Sequence, residues 1–342
     1  MSIRDAIIAV TGGRDLSQAE ASTVMEEIMS GAATPAQIAA FLTALHLKEE
    51  TDAEIAGMAE VMREKATHVF FDGPLVDTCG TGGDSSNTFN ISTTAAFVVA
   101  GAGLTVAKHG NRAMSSACGS ADVLEGLGVN IELEAEGVVR CLRAAGIGFM
   151  FAPKFHPAMR FAGPVRREIG IRTAFNVLGP LTNPARARRQ VLGVASEALA
   201  EKLARALSRL GSIHALVVHG DGNVDELTLS GPNILFEVRA GQEPVRSLLS
   251  PTDLRFDLAP REALRGGDVQ ANVRIVWDIL AGRERGPKRD VVLLNAAAAL
   301  VAGDAAPDMP GAVELARASL DEGRAQERLE RLIEVSNQPS EG

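Results

Sequence analysis

Residues 75–107, LVDTCGTGGDSSNTFNISTTAAFVVAGAGLTVA, decide the fold of this chain because they place a helical segment between two short strands. The first apolar run, Leu75–Cys79, leads into a loop with three glycines among four residues, and the second run, Leu104–Ala107, follows the apolar segment that starts at Ile91. Short apolar runs bounded by glycine are typical of buried strands, whereas the longer segment has the length of a helix. The order strand, loop, helix, strand predicts a βαβ unit with parallel strands.

The same alternation continues along the rest of the chain. Further strands are predicted at Gly148–Ala152, Gln190–Val194, Ile213–Val218 and Asn233–Val238. Further helices are predicted at Ala121–Gly126, Ala135–Ala145, Glu197–Leu210, Val269–Leu280, Arg289–Val301 and Val313–Val335. This alternation predicts the fold class α/β, with a central, mostly parallel sheet flanked by helices.

The first 66 residues carry helix-start signals and no strand signal. Ser17, Thr34 and Thr51 each stand before an apolar stretch with helical spacing, and Pro35 occupies a position that favours the first turn of a helix. We therefore expect a small all-helical N-terminal domain in front of the large α/β domain.

The expected boundary lies at residue 70. The small helical domain would span residues 1–70, and the large α/β domain would span residues 71–342. Helices near residues 165–188 are expected to pack on the small domain. The polar tail over residues 338–342 is expected to be disordered.

Composition and charge exclude several classes of protein. The formal net charge is −9, so a basic footprint for duplex nucleic acid is missing, and the absence of Tyr with a single Trp leaves few stacking platforms for single strands. Three widely spaced cysteines without a CxxC pair suit a reducing compartment. The apolar segment Ile91–Ala107 is too short and too interrupted to cross a bilayer. We therefore expect a cytoplasmic protein whose partners are neither nucleic acid nor membrane.

The loop after the first strand has the composition of an anion site. Its glycines at 80, 82 and 83 allow the backbone to approach a ligand, and polar side chains follow at the start of the next helix. Asp84 would repel an anion unless a cation lay between them, which indicates Mg²⁺ bridging a carboxylate and a pyrophosphate. The alternative is an ordinary strand–turn–helix corner.

A second polar segment, Lys108–Arg112, follows the second predicted strand. Because ligands bind at the carboxyl ends of parallel strands, Lys108 is expected to meet a phosphate, with Arg112 more remote. After Ser115 and Ser116, Ser120 is predicted to cap the next helix and to offer a second anion site. The alternative is a solvated basic turn.

Two further segments carry candidate chemistry. The adjacent carboxylates Asp225 and Glu226 suit a hard cation, although a solvated acidic turn would have the same composition. His156 and Arg166 are suited to a smaller anion such as a carboxylate, and Leu178 with Pro180 would offer an apolar wall to a planar ring.

Taken in order, these segments resemble the anthranilate phosphoribosyltransferases, which share a fold with nucleoside phosphorylases. The resemblance covers most of the chain. Its motifs are GTGGD at 80–84, NTFNIST at 87–93, KHGNR at 108–112, GSADVLEGLG at 119–128, FAPKFHPAMR at 151–160, RREIGIRTAFNVLGPLTNP at 166–184 and the pair at 225–226. Any one of these motifs alone would be a weaker indication than the set.

The resemblance implies transfer of a phosphoribosyl group from phosphoribosyl pyrophosphate to the amine of anthranilate, by a homodimer joined through its small domains. It implies donor-binding residues Gly80, Thr81, Gly83, Asp84, Thr88, Asn90, Ser92, Thr93, Lys108 and Ser120. It implies anthranilate-binding residues Gly80, His109, Asn111, His156, Arg166 and Pro180. It implies two Mg²⁺ ions per subunit, held by Ser92, Asp84, Asp225 and Glu226. No side chain is assigned as a catalytic residue, because transition-state stabilisation is expected from the metal and the donor loop, and a neutral aniline amine needs no strong general base.

Two alternative functions remain at this point. A pyrimidine nucleoside phosphorylase shares the fold, but its family has a Lys-His-Ser-Thr-Gly-Gly type of segment where this chain has Lys-His-Gly-Asn-Arg at 108–112. A non-catalytic relative that binds nucleic acid should have a basic groove and a degraded donor site, whereas this chain is acidic and its motifs are intact.

Overall fold

A computed structural model describes residues 1–84, 86–113 and 117–339 of the chain. Ser115 and Ser116, which the sequence placed before the second anion site, lie outside the described residues. The last three residues of the tail predicted to be disordered, 340–342, also lie outside them.

Four helices form the N-terminal part of the chain. They are α1 (Ile3–Thr11), α2 (Gln18–Ser30), α3 (Pro35–Lys48) and α4 (Asp52–Glu64). Each begins with a Ser or Thr whose side chain accepts a hydrogen bond from the backbone of the third helical residue, and that residue's side chain bonds back to the cap. The predicted helix starts at Ser17, Thr34 and Thr51 are therefore confirmed, because these caps satisfy amides that a helix leaves without partners.

The large part of the described chain alternates strands and helices. Its strands are β1 (Leu75–Gly80), β2 (Thr105–Gly110), β3 (Ile147–Phe151), β4 (Arg189–Gly193), β5 (His214–His219), β6 (Asn233–Arg239) and β7 (Val245–Leu249). Its helices are α5 (Ile91–Gly101), α6 (Ser120–Gly126), α7 (Ala135–Ala145), α8 (Ala152–Phe155), α9 (Met159–Ile169), α10 (Phe175–Leu178), α11 (Glu197–Arg209), α12 (Val269–Leu280), α13 (Pro287–Ala302), α14 (Met309–Asp321) and α15 (Arg324–Ser336). Short 3₁₀ turns lie at Gly179–Leu181, Pro251–Leu254 and Arg261–Leu264.

The strands form one sheet in the order β3-β2-β1-β4-β5-β6-β7. Five neighbouring strands, β3, β2, β1, β4 and β5, are parallel, and β6 and β7 form antiparallel pairs at one edge of the sheet. The chain leaves β1 toward β2 and β3, then returns to place β4 on the opposite side of β1. The point between β1 and β4 is therefore the topological switch point, where open α/β sheets bind ligands beyond the carboxyl ends of their strands.

The two faces of the sheet belong to different hydrophobic cores. Helices α5 and α13 cover one face, where Val76, Val191 and Val218 lie in the first core. On the other face, Leu192 and Val217 lie in a second core together with residues of α1 to α4 and α11. We call this second cluster the shared core, because it joins the N-terminal helices to the sheet.

The predicted fold class is confirmed: a small helical N-terminal part precedes a large α/β part with a mostly parallel sheet. Helix α9 packs against α2 and α3, and α10 contacts α4. The division of the chain at residue 70 stays a prediction.

Three sequence predictions need correction. The single helix predicted at Val313–Val335 is wrong, because Gly323 adopts φ 78° and separates α14 from α15. The strand predicted at Gly148–Ala152 begins one residue earlier, and α8 starts at Ala152. Strand β7 was not predicted, since Val245 and Leu248 are exposed on an edge strand and give no buried alternation. No helix among the described residues is long and apolar enough to cross a membrane.

Candidate active site

The candidate site lies at the switch point, where the ends of β1 and β4 meet. Gly80 pairs with Gly193, and the Thr81 amide donates to the Gly193 carbonyl at 2.9 Å. A Cβ on Gly193 would lie 1.5 Å from the Asp225 carbonyl oxygen, and one on Gly80 would lie 2.3 Å from Asp225 Oδ2. Glycine at both strand ends therefore admits the Asp225 segment between them.

The glycine loop and the acid pair are hydrogen bonded to each other. The Gly82 amide donates to Asp225 Oδ2 at 2.7 Å, and the Asp225 amide donates to Asp84 Oδ2 at 3.3 Å. Gly82 and Gly83 have φ +67° and +72°, in the left-handed region that favours glycine. Segments that are far apart in sequence thus bring Asp84 and Asp225 together, as the resemblance implied.

Glu226 and Lys108 lie at the amino end of α5. The Ser92 amide donates to Glu226 Oε1 at 2.9 Å, while Glu226 Oε2 is buried without a partner. Lys108 is buried; its Nζ donates to the Thr78 carbonyl at 2.5 Å and lies 3.5 Å from Ser92 Oγ. The side chains of Lys108 and Glu226 therefore both lie next to Ser92, in the first turn of α5.

Burial shifts the pKa values of the ionisable groups in the site. Burial, with the neighbouring Asp84 carboxylate next, raises the pKa of Asp225 to about 7. Burial and the adjacent Asp225 raise the pKa of Glu226 well above its usual value. Burial also lowers the pKa of Lys108, against the attraction of Asp77. The charged forms of Asp225 and Glu226 are disfavoured, so a cation placed beside these two carboxyl groups would stabilise them.

These carboxyl groups fit a divalent cation that is shared with a ligand. Glu226 Oε2 is buried without a hydrogen-bond partner among the described residues, and the pKa of Asp225 is raised. A cation beside these two groups would satisfy the first and stabilise the charged form of the second. Within the described residues, no group of three acidic, His or Cys side chains is gathered closely enough to hold an ion alone. Magnesium usually takes one or two carboxylates together with phosphate oxygens and water, so this arrangement suits a magnesium–phosphate complex.

Two histidines line the neighbouring side of the site. The rings of His109 and His156 lie 5.0 Å apart, both side chains are buried, and both Nε2 atoms lack a partner. Burial first, and then the charge of His156, lowers the pKa of His109 to about 3. Burial lowers the pKa of His156 to about 4. Both rings are therefore neutral at pH 7, with free polar atoms available to a ligand.

Arg166 and Pro180 are further residues expected to contact anthranilate. The Arg166 guanidinium lies over the Phe175 ring at 5.0 Å, and its carbon stem is half-buried. Burial lowers the pKa of Arg166, and the described part of the chain offers it no carboxylate partner. The cation is thus available to an anionic ligand, while the Pro180 carbonyl accepts from Gln190 Nε2 at 2.7 Å.

Other predicted site residues have local roles in the structure. Asn111 is exposed, and its Oδ1 accepts from the Arg112 amide at 2.7 Å. Asn90 caps α5 without a side-chain capping bond, and its Oδ1 is buried without a partner. Thr88 pairs with Arg265 in an isolated bridge, and Thr93 is buried in the first turn of α5. The donor role of Thr88, Asn90 and Thr93 and the anthranilate role of Asn111 stay predictions.

The structure corrects three local predictions. Ser120 is not the cap of α6, because Gly119 occupies that position and Ser120 is the first helical residue. Arg112 is paired with Glu125 and Asp122, so it is not free for a phosphate. Leu178 is fully buried in the shared core and cannot form a wall of the site, whereas Pro180 is half-buried.

Sequence reasoning missed several residues that shape the site. Nη1 of Arg172 donates to the Gly83 carbonyl at 3.4 Å, so this arginine lies across the glycine loop. Asp77 and Asn183 form a buried pair between β1 and the segment after Pro180. A carboxylate inside a predicted buried strand was the available indication for Asp77, since a buried charge requires partners.

Comparison with known families defines the class of protein. The family model described as "Glycosyl transferase family, a/b domain" matches residues 72–326. The model described as "Glycosyl transferase family, helical bundle domain" matches residues 4–66. Together they define a glycosyltransferase with a helical bundle before its α/β part.

Individual relatives narrow the class. The anthranilate phosphoribosyltransferase of Chloroflexus aggregans is 78% identical over 336 residues, which cover 98% of this chain and 99% of that protein. The crystal structure of the Thermus thermophilus anthranilate phosphoribosyltransferase is 45% identical and has a TM-score of 0.92, covering 98% of this chain and 100% of that one. The Saccharomyces cerevisiae enzyme in complex with PRPP and Mg is 26% identical, with a TM-score of 0.88 and coverage of 98% and 97%. The chain belongs to the anthranilate phosphoribosyltransferase family.

Proposed function

We propose that this chain transfers the phosphoribosyl group of phosphoribosyl pyrophosphate to the amine of anthranilate, releasing pyrophosphate, at the switch point between β1 and β4. The observation that carries this proposal is the meeting of a glycine loop with the acid pair Asp225 and Glu226 beside a buried Lys108. The products would be N-(5-phosphoribosyl)anthranilate and pyrophosphate, within tryptophan biosynthesis. The yeast relative's complex with PRPP and Mg supports the donor assignment.

The donor would lie against the glycine loop and the start of α5. Backbone amides at a glycine loop and a helix start are suited to phosphate oxygens, and Lys108 adds a cation. The contacting residues would be Gly80, Thr81, Gly83, Asp84, Thr88, Asn90, Ser92, Thr93, Lys108 and Ser120. Because the Gly82 amide is bonded to Asp225 and the Ser92 amide to Glu226, the donor must compete with or rearrange these bonds.

Magnesium would be held by Asp84, Ser92, Asp225 and Glu226, with two ions per subunit. When bound, it supplies charge stabilisation for the pyrophosphate oxygens as the leaving group departs. The carboxylates would hold the metal ion in place. Because the pKa of Asp225 is raised to about 7, the protonated fraction of Asp225 must lose its proton when the ion binds.

Anthranilate would occupy the neighbouring side, contacting Gly80, His109, Asn111, His156, Arg166 and Pro180. Arg166 would face the carboxylate, since it is a half-buried cation without an acidic partner in the described chain. The neutral rings of His109 and His156 would offer hydrogen bonds without adding charge near the amine.

The amine of an aniline is already neutral at pH 7, so the chain needs no strong general base. The demanding event is departure of pyrophosphate, during which the ribose gains oxocarbenium character and negative charge grows on the leaving group. Loop amides and Lys108 aimed at that charge would stabilise the transition state. Holding the two substrates next to each other would supply the remainder.

We also propose a homodimer formed through the N-terminal helices, and a cytoplasmic location. Ile8 on α1 and Leu47 on α3 are 65% and 79% exposed, and their helices pack side by side. Large apolar side chains exposed on adjacent helices are suited to a protein interface. Sedimentation velocity of the whole chain, compared with a Leu47→Glu variant, tests this assembly.

A fluorescence assay of anthranilate consumption tests the reaction. We expect consumption only when phosphoribosyl pyrophosphate and Mg²⁺ are both present, and none when either is left out. Incubation with thymidine and phosphate is the control for the nucleoside phosphorylase alternative, which the relatives do not favour. Release of thymine, with no loss of anthranilate fluorescence, would contradict the proposal.

A further inference from the structure

Asp77 is a fully buried carboxyl group in β1, the middle one of the five parallel strands, three residues before the glycine loop. Its side chain has 0% exposure. Its Oδ1 accepts from the His109 amide at 3.3 Å, and its Oδ2 accepts from Asn183 Nδ2 at 2.8 Å. Burying a carboxylate is costly unless partners compensate, and here the nearby Lys108 ammonium and these two hydrogen bonds offset part of the cost, while burial still raises the pKa of Asp77.

The bonds of Asp77 connect segments that serve different substrates in the proposed function. Asp77 lies on β1, which continues directly into the donor loop at Gly80. The His109 amide lies on β2 at the histidine pair, and Asn183 follows Pro180 on the anthranilate side. One carboxylate therefore ties the donor strand to both segments of the acceptor side.

Asn183 is itself held from several directions. Its Nδ2 also donates to the Ala107 carbonyl at 2.8 Å, and its Oδ1 accepts from the Ala185 amide at 2.9 Å. On the same face of the sheet, Gln190 Nε2 donates to the Pro180 carbonyl at 2.7 Å. The segment carrying Pro180 is therefore fastened to the sheet by polar bonds at both of its ends, and it has little freedom to shift.

We propose that Asp77 is a positioning residue, which sets the distance between the acceptor and the donor through its bonds to Asn183 and the His109 amide. This inference rests on the proposed function, and it assigns Asp77 no contact with either substrate. Transfer requires reacting atoms about 3–3.5 Å apart, and a displacement of about 1 Å lowers the rate roughly 100-fold. A rigid bond between the two halves of the site is suited to that requirement.

The charge of Asp77 and its link to Asn183 can be separated by mutation. Asp77 also attracts the buried Lys108 ammonium, so Asp77→Asn changes both the link and the charge beside the donor. Asn183→Ala breaks the link and keeps the Asp77 carboxyl group beside Lys108, while loss of the amide donor raises the pKa of Asp77 further. The pair of variants therefore distinguishes positioning from an electrostatic effect on the donor.

The test is steady-state kinetics of the whole enzyme, with the affinity for phosphoribosyl pyrophosphate and Mg²⁺ measured separately by calorimetry without anthranilate. For Asn183→Ala we expect kcat/KM for anthranilate to fall roughly 100-fold, as expected for misplaced reactants. The Kd of the donor complex should stay unchanged. Ser319→Ala is the control, because it removes a buried bond to the Val98 carbonyl far from the site and should alter Tm without altering kinetics.

The double variant Asp77→Asn with Asn183→Asp exchanges the two groups, but it places a carboxylate oxygen opposite the Ala107 carbonyl, which accepts from Asn183 Nδ2 in the wild type. We therefore expect the double variant to recover no activity over Asn183→Ala, because the link needs an amide donor at position 183. If Asn183→Ala does not fold, Asn183→Ser keeps a hydroxyl donor and replaces it in the comparison.

Asn183 variants that lower Tm like Ser319→Ala but keep wild-type kcat and KM would overturn the inference, because the link would then be structural only. Failure of the proposed function looks different, since the wild-type enzyme itself would not consume anthranilate.

Discussion

The two halves of the candidate site differ in their ionisable groups, because one half contains carboxyl groups with raised pKa values and the other contains histidines with lowered pKa values. The donor half gathers Asp84, Asp225 and Glu226 around backbone amides, and burial holds the pKa of the Glu226 carboxyl well above its usual value. The acceptor half holds two histidines whose pKa values are lowered, so that both rings are neutral at pH 7. The carboxyl groups of the first half fit an added cation, whereas the second half carries its own cation, Arg166, beside two neutral rings whose Nε2 atoms lack partners in the described part of the chain.

This difference indicates how each half should respond to mutation. Groups that stabilise charge only as the leaving group departs change kcat, whereas groups that bind substrate and transition state equally change KM. We therefore expect the donor half to control turnover and Arg166 to control anthranilate affinity.

The largest effect is expected from the acid pair. Asp225→Asn and Glu226→Gln should each lower kcat by about 100- to 1,000-fold, the usual result of removing one electrostatic contributor to transition-state stabilisation. The KM for anthranilate should change little. Asp221→Asn is the matched control, since Asp221 is exposed four residues from Asp225. If Asp225→Asn and Glu226→Gln both turned over at the wild-type rate, the acid pair would have no role in turnover, and the contrast between the two halves would be wrong.

A smaller effect is expected from Arg166. Arg166→Gln should raise the KM for anthranilate roughly 10- to 100-fold, the equivalent of one lost charge-assisted hydrogen bond, while kcat stays close to wild type. Arg167→Gln serves as the control because Arg167 is the exposed neighbour on α9. An unchanged KM for Arg166→Gln would remove this residue from the acceptor half.

The smallest effect concerns pH. With a folded pKa of about 7, Asp225 holds a proton below pH 7 that Mg²⁺ must displace, so the affinity for magnesium with the donor should fall as pH decreases. Between pH 8 and pH 6 the loss from the Asp225 proton alone should be about 10-fold, and the raised pKa of Glu226 adds to it. The sign for the unliganded protein is opposite: a raised carboxyl pKa stabilises the fold below about pH 4, and that contribution is lost as pH rises through 7. Calorimetry of donor and Mg²⁺ binding at both pH values measures the first effect, and pH-independent binding would argue against a protonated Asp225.

The glycine loop between a strand and a helix could be predicted from sequence because its chemistry is local. Glycines, hydroxyls and Asp84 stand within 14 residues over positions 80–93, and the surrounding pattern gives strand, loop and helix. The same is true of the caps at Ser17, Thr34 and Thr51, where a side chain and its partner are three residues apart. Short-range chemistry of this kind requires no knowledge of the tertiary fold.

Contacts between distant segments could not be predicted in this way. Nothing local to Gly193 shows that its Cα faces the Asp225 carbonyl, because that contact depends on the order of the strands. The prediction that Ser120 caps α6 is wrong because the cap position is Gly119. A Cβ at this position would lie 2.4 Å from the Ala113 amide nitrogen, so the close approach requires glycine. Leu178 failed as a wall because α10 turns it into the shared core.

The shared core also limits what can be exchanged between related enzymes. Phe41 and Leu42 of α3 pack into the same interior cluster as Leu192 and Val217 of the sheet, although about 150 positions of chain separate them. A boundary along the sequence is therefore not a boundary in packing. A chimera that took its first 70 residues from one species and the remainder from another would join two parts of one core that were shaped for different partners. The mismatch would lie against the strands β4 and β5, next to the strand that ends at the glycine loop.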